Sequence, residues 1–193
     1  MTLDEIAEIR MGHGFRGAVV PSPEAETNVI QMRDVDLTDG VMWEQLEKCH
    51  LVGRKEPVWL RPDDIIFQAR GRRNFALHLP ELPVDSVVCT QHFLVVRIKD
   101  ERFAPGFVAW QLNQMQAQRH FDMSAPDSHN RNITITTLAT APIIHVSIET
   151  QHRLGALIEL TRKEKRLYDF LMRNREQQLS ALASRILLKE EEA

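Results

Sequence analysis

The stretch IETQHRLGALIELTRKEKRLYDFLMRNREQQLSALASRILL, Ile148 to Leu188, decides the fold. It holds no proline and one glycine, Gly155, and is dominated by Leu, Glu, Lys, Arg, Gln and Ala, which enter helices at low cost. The composition predicts a single helix of roughly 40 residues, which at about 1.5 Å per residue is near 60 Å long. A domain of this chain's size is on the order of 30 to 40 Å across, so much of the helix is expected to project. Leu157, Leu160, Leu167 and Leu171 follow steps of three and four, with Glu164 in one expected apolar place. Leu179, Leu182 and Ile186 resume the stripe after an offset near Asn174 and Arg175. Such a stripe needs a partner. The expected partner is a helix of a second chain or another subunit in a coiled coil; the alternative is a fold back onto the helix's own domain. The tail from Lys189 to Ala193 is expected to fray.

Ahead of the helix the texture differs, since all nine prolines and seven of the eight glycines precede residue 148. Asn28 to Asp34, Asp64 to Ala69, Ser86 to Thr90, His92 to Ile98 and Asn132 to Thr137 combine β-branched and aromatic residues with partial alternation, and read as strands. Leu3 to Met11 and Pro105 to His120 are the expected helices. The fold class is therefore α+β, a mixed domain over residues 1–147 followed by one long helical segment over residues 148–193.

A chain of 193 residues with a formal charge of -3 has no overall cationic surface, so a polyanion site would have to come from local clusters. Cys49 and Cys89 are too few for a disulfide framework and fit a reducing compartment. No run approaches the 18 or so apolar residues of a membrane span, and the acidic N-terminus is unlike a signal peptide, so a cytoplasmic location is expected. Cysteines and histidines do not form a four-ligand metal set. The segment Gly12 to Gly17 lacks the Lys-Ser/Thr ending of a phosphate loop and is expected to be a turn, with His13 left as a surface contact. Pro62-Asp63-Asp64 begins like a nuclease site without the acid-x-lysine that would complete it. No catalytic residue, metal or cofactor is expected.

Binding chemistry is better represented. FQARGRRNFALHL, Phe67 to Leu79, sets Arg70, Arg72, Arg73 and Asn74 just after a predicted strand, where guanidinium groups can meet a phosphate backbone or a guanine edge. A second cluster runs from Gln111, Asn113, Gln114, Gln116, Gln118, Arg119 and His120 to His129, Asn130 and Arg131, rich in groups that read base edges. The competing reading pairs the arginines with Asp63, Asp64 or Glu81 and makes the glutamines a solvated helix face.

In their order, EIAEIRMGHGFRG, VIQMRDVD, VWLRPDDIIFQARGRRNFALHL, VVCTQHFLVVRIKD and PGFVAWQLN resemble the target recognition domain of a type I restriction-modification specificity (S) subunit. The helix entered through IIHVSIETQHRLGAL resembles that family's spacer. The resemblance covers nearly the whole chain. The chain departs from it in lacking the usual double proline at the helix entry and in carrying Asp63 where a glycine is common. It implies a half-length S protein with one mainly antiparallel recognition domain and one spacer helix, completed as a homodimer that reads a two-part palindromic site in double-stranded DNA. It also implies a methylating (M) subunit as partner, with or without a restriction (R) subunit. A mimic that pairs with a larger S subunit is the alternative role, and a nuclease with an unrecognised metal site a more distant one.

Overall fold

A computed structural model describes residues 1–51, 56–124 and 131–191. The chain divides into two units, Met1–Gly155 and Ala156–Ala193. The strands are β1 (Ala7–Met11), β2 (Thr27–Ile30), β3 (Val35–Asp36), β4 (Gly40–Val41), β5 (Glu47–Cys49), β6 (Asp64–Gln68), β7 (Arg70–Gly71), β8 (Ala76–Leu79), β9 (Val87–Cys89), β10 (Phe93–Ile98) and β11 (Arg131–Asn132). The helices are α1 (Pro105–Leu112), α2 (Met115–Ser124), α3 (Ile135–Ala139) and α4 (Ile148–Glu191). The fold is mixed α+β with a long C-terminal helix. Its sheets are antiparallel except where β2 runs parallel to β9.

The centre of the first unit is a four-stranded antiparallel sheet in the order β1-β10-β6-β8. Side chains alternate across a strand, and here both faces are buried. Ile65 and Phe67 of β6 and Leu94 and Val96 of β10 face a core shared with Val108, Leu112, Phe121 and Leu138 of the helices. Ile66, Phe93 and Val95 face the other way, toward Ile30, Val87 and Cys89 of the three-stranded sheet β5-β2-β9. Burial on both faces explains why DIIFQ and FLVVRI are almost unbroken apolar runs. Phe67 and Phe121 meet edge to face at 5.2 Å across the helix-facing layer.

Several expected elements differ. Leu3 to Met11 is a 3-10 turn followed by strand β1, which pairs with β10 from Ala7↔Ile98 to Met11↔Leu94. The open edge of β10 supplies a hydrogen-bonding partner that outweighs the weak helical preference of AEIRM. The strand begun at Asn132 stops there, because the Thr134 hydroxyl accepts from the Thr137 amide and starts α3. The helix from Pro105 to His120 breaks at Asn113. The Asn113 side chain instead accepts from Ala76 N and donates to Ala76 O, both at 2.8 Å, closing the edge of β8 as a neighbouring strand would.

Two buried polar contacts fix the frame. Asp64, 1% exposed, accepts both Nε and Nη2 of Arg97 at 2.7 Å and Arg61 N at 2.8 Å. Gln151, in the first turn of α4, is fully buried; it donates to Arg102 O and Val146 O and accepts from Ala104 N. Beyond Gly155, Leu157, Leu160, Leu167, Leu171, Leu179 and Leu182 are 54–64% exposed, so their stripe is uncovered in the single chain. The side chain of Ile186 lies outside the described residues. No described helix is long and apolar enough to cross a membrane.

Candidate nucleic-acid interface

Strands β6 and β8 pair from Asp64↔Leu79 to Phe67↔Ala76, and residues 69–75 between them form a loop. Its course is fixed from inside. Gln68 N donates to Phe75 O at 2.8 Å, and Gln68 Nε2 to Arg73 O at 3.2 Å. Asn74 is 2% exposed and its Nδ2 donates to Gln68 O at 3.0 Å, so this asparagine shapes the loop from within. Ala69 N donates to His92 O, and Ile133 N to Ala69 O. Arg70, Arg72 and Arg73 are exposed on the outside of this stiffened loop.

Gly71 has φ +119°, in the region side chains avoid, and a Cβ there would lie 3.1 Å from Gln68 Nε2. Replacing Gly71 with Ala should therefore destabilise the protein by about 1 to 3 kcal/mol. A thermal melt checks this, and an unchanged melting temperature would show that the loop is not held in this conformation.

The two sequence clusters meet here. β7 pairs with β11, Arg131 opposite Gly71 and Asn132 opposite Arg70, and Arg70 Nε donates to Asn132 Oδ1 at 3.3 Å. His129, Asn130 and the side chain of Arg131 lie outside the described residues. Arg119 is exposed on α2. His120 is half-buried, with Nε2 3.0 Å from Thr137 O and 3.2 Å from Thr140 Oγ1, so it fastens α2 to the α3 region.

The charge pattern opposes the ion-pair alternative. Asp63 contacts His78 Nε2 at 3.0 Å, and Asp64 is taken by Arg97. Among the described residues no carboxylate pairs with Arg70, Arg72 or Arg73. Asp63 sits at φ +67°, which accounts for the glycine common at that place, since Asp is among the few other residues that tolerate it. With its oxygens already accepting three hydrogen bonds, Asp64 is poorly suited to hold a metal ion.

Other expectations are corrected. Gln111 is buried and exchanges hydrogen bonds with Ile144 N and O; Gln114 and Gln118 donate to Trp110 O and Leu112 O. With Asn113, these amides bond to backbone groups inside the domain and do not form a reading face. His13 is 8% exposed and not a surface contact, its ring edge to face with Phe15. A Cβ on Gly12 would fall 2.3 Å from Thr90 O, so glycine there permits a close backbone crossing. Burial pushes the Cys89 thiol up to about 12, which leaves it unreactive.

Register places these loops together. Met11 ends β1 opposite Leu94, Phe93 begins β10 opposite Gln68, and Ile30 and Cys89 end the parallel pair β2 and β9. Residues 12–19, 31–33, 69–75 and 90–92 thus all leave from one end of the two sheets.

No protein-family model matches the chain, and no curated protein does. Solved structures do. The type I restriction-modification S subunit from M. genitalium shares 14% identity at TM-score 0.54, over 83% of this chain and 37% of that one. The HsdS subunit from Thermoanaerobacter tengcongensis shares 14% at 0.55, over 85% and 37%. A chain from a structure on complex assembly and conformational transition of the type I R-M system shares 15% at 0.63, over 94% and 42%. The chain spans about two-fifths of the length of these proteins, and over that length it has the fold of the S subunits of type I restriction-modification systems.

Proposed function

We propose that the chain is the sequence-recognition subunit of a type I restriction-modification DNA methyltransferase and itself catalyses no step. The observation that carries this reading is the exposed cluster Arg70, Arg72 and Arg73, without carboxylate partners among the described residues, on a braced loop of an S-subunit fold. Exposed guanidinium groups without carboxylate partners suit phosphate contact and bidentate contact with guanine. Arg119 on α2 and, on the sequence alone, His129, Asn130 and Arg131 extend the proposed contact set, while Asn74 and His120 position it. The proposed recognition domain is residues 1–147, and the proposed spacer segment, residues 148–193, contains α4. The partners are double-stranded DNA, an M subunit and, in a restricting complex, an R subunit, all in the cytoplasm. Reconstitution tests the reading: added to a purified M subunit, the chain should confer methylation at one recurrent sequence, and methylation indifferent to the chain would rule it out.

The exposed stripe of α4 supports a coiled coil between two copies, with Leu157, Leu160, Leu167, Leu171, Leu179, Leu182 and Ile186 at the seam, and hence a palindromic two-part site. Replacing Leu167 and Leu171 with Asp removes four apolar side chains from such a pair, a loss of roughly 6 kcal/mol at about 1.5 kcal/mol each. Light scattering should find the unmodified chain at twice 22.3 kDa and the variant at 22.3 kDa. An unmodified chain that runs as a monomer would exclude the self-paired arrangement.

A further inference from the structure

Four buried side-chain polar atoms lack a hydrogen-bond partner among the described residues: His13 Nε2, Asn74 Oδ1, Thr90 Oγ1 and His92 Nδ1. All four belong to the loops that leave the same end of the sheets as Arg70, Arg72 and Arg73. Native interiors leave few such groups unpaired, and each is costly. Their concentration at one end singles out these loops, since departures from full hydrogen bonding gather at functional or strained sites.

A cleft of about 230 Å³ lies there, walled by Phe15 and residues 17–19, 31–33 and 90–92. It adjoins the basic loop: Ala69 bonds to His92 O, and a Cβ on Gly71 would lie 3.8 Å from Met32 Sδ. The volume is below the roughly 300 to 1,000 Å³ of a small-molecule site. Its one cation, Arg33, is neutralised by Glu47 and Asp34, so nothing in the cleft favours a phosphate. What it offers is the half-exposed Gln91 amide and the half-exposed His92 ring beside apolar Phe15 and Met32. Such a set matches the donors, acceptors and methyl group on a base-pair edge.

We infer that this cleft takes the edge of a DNA base, with Gln91 and His92 as specificity-determining residues, while the neighbouring arginines hold the backbone. The inference rests on the DNA-recognition function proposed above. Gln91 carries the test, because no described hydrogen bond depends on its side chain and Gln91→Ala should leave the melting curve unchanged.

The full chain with its M subunit is offered a library of randomised duplexes, and bound sequences are compared among unmodified protein, Gln91→Ala, Gln91→Glu and the Arg72→Ala/Arg73→Ala pair. Gln91→Ala should lose about five- to 150-fold of discrimination at one or two adjacent base pairs, with affinity for unselected duplex unchanged. Gln91→Glu, which only accepts, should move the preference there toward cytosine. The arginine pair should weaken binding to every sequence. If both Gln91 variants fold and select the unmodified motif with unmodified discrimination, the cleft assignment is wrong, whatever the arginine pair does. If the unmodified protein prefers no duplex, the proposed function fails and the cleft inference with it.

Discussion

Replacing Arg72 and Arg73 together with Ala should weaken DNA binding by the assembled methyltransferase by at least about 30-fold, the effect of two contacts at about 1 kcal/mol each. The protein itself should melt as before, since both side chains are exposed and no described carboxylate depends on them. The form of the loss identifies each contact. An arginine on a phosphate contributes to every duplex, so its removal should lower the slope of log K against log salt by about 1. An arginine bidentate to guanine contributes on one sequence, so its removal relaxes specificity there. Fluorescence anisotropy over a salt series, with cognate and unrelated duplexes, separates the two. Unchanged affinity and slope in the double variant would remove the basic loop from the interface.

Arg97→Met should lower stability by about 3 to 5 kcal/mol, because it strands the Asp64 carboxylate, 1% exposed, without its countercharge. For a chain of this size that is a fall in melting temperature on the order of 10 °C. The two ends of the pair sit on adjacent strands, one residue beyond the Ile65↔Val96 register. Adding Asp64→Leu should recover most of the loss, since removing both charges leaves none buried and unpaired. Calorimetry of single and double variants decides it. A single variant as stable as the unmodified protein would show that Asp64 is hydrated or neutral, while a double variant as unstable as the single would assign the loss to packing.

Local patterns carried α4, β6 and β10 into the sequence reading: about eleven turns without a proline, and β-branched runs apolar on both faces. The first of the N-terminal elements was not legible in that way. AEIRM becomes a strand only because β10 presents an unpaired edge nearly 90 residues later in the chain. The site divides similarly. Arg70, Arg72 and Arg73 stand out as a basic knot after a strand, but their meeting with Arg131 and Asn132 depends on a pairing across 60 residues. Gln111 and Asn113 look like base-reading amides in sequence, since an amide has the same donors and acceptors whether it faces solvent or a backbone. Only the chain segments beside them, Ile144 and Ala76, reveal their use. The four unpartnered polar atoms were equally invisible, as burial and partnership are properties of the assembled loops.

The central claim is that the chain selects the sequence at which a methyltransferase acts. Mapping methylated bases across the genome of cells with and without the chain tests it most directly. The expected result is the loss of one recurrent two-part motif, palindromic if two copies pair through α4, with all other methylated motifs retained. An unchanged set of methylated motifs when the chain is removed would contradict the claim.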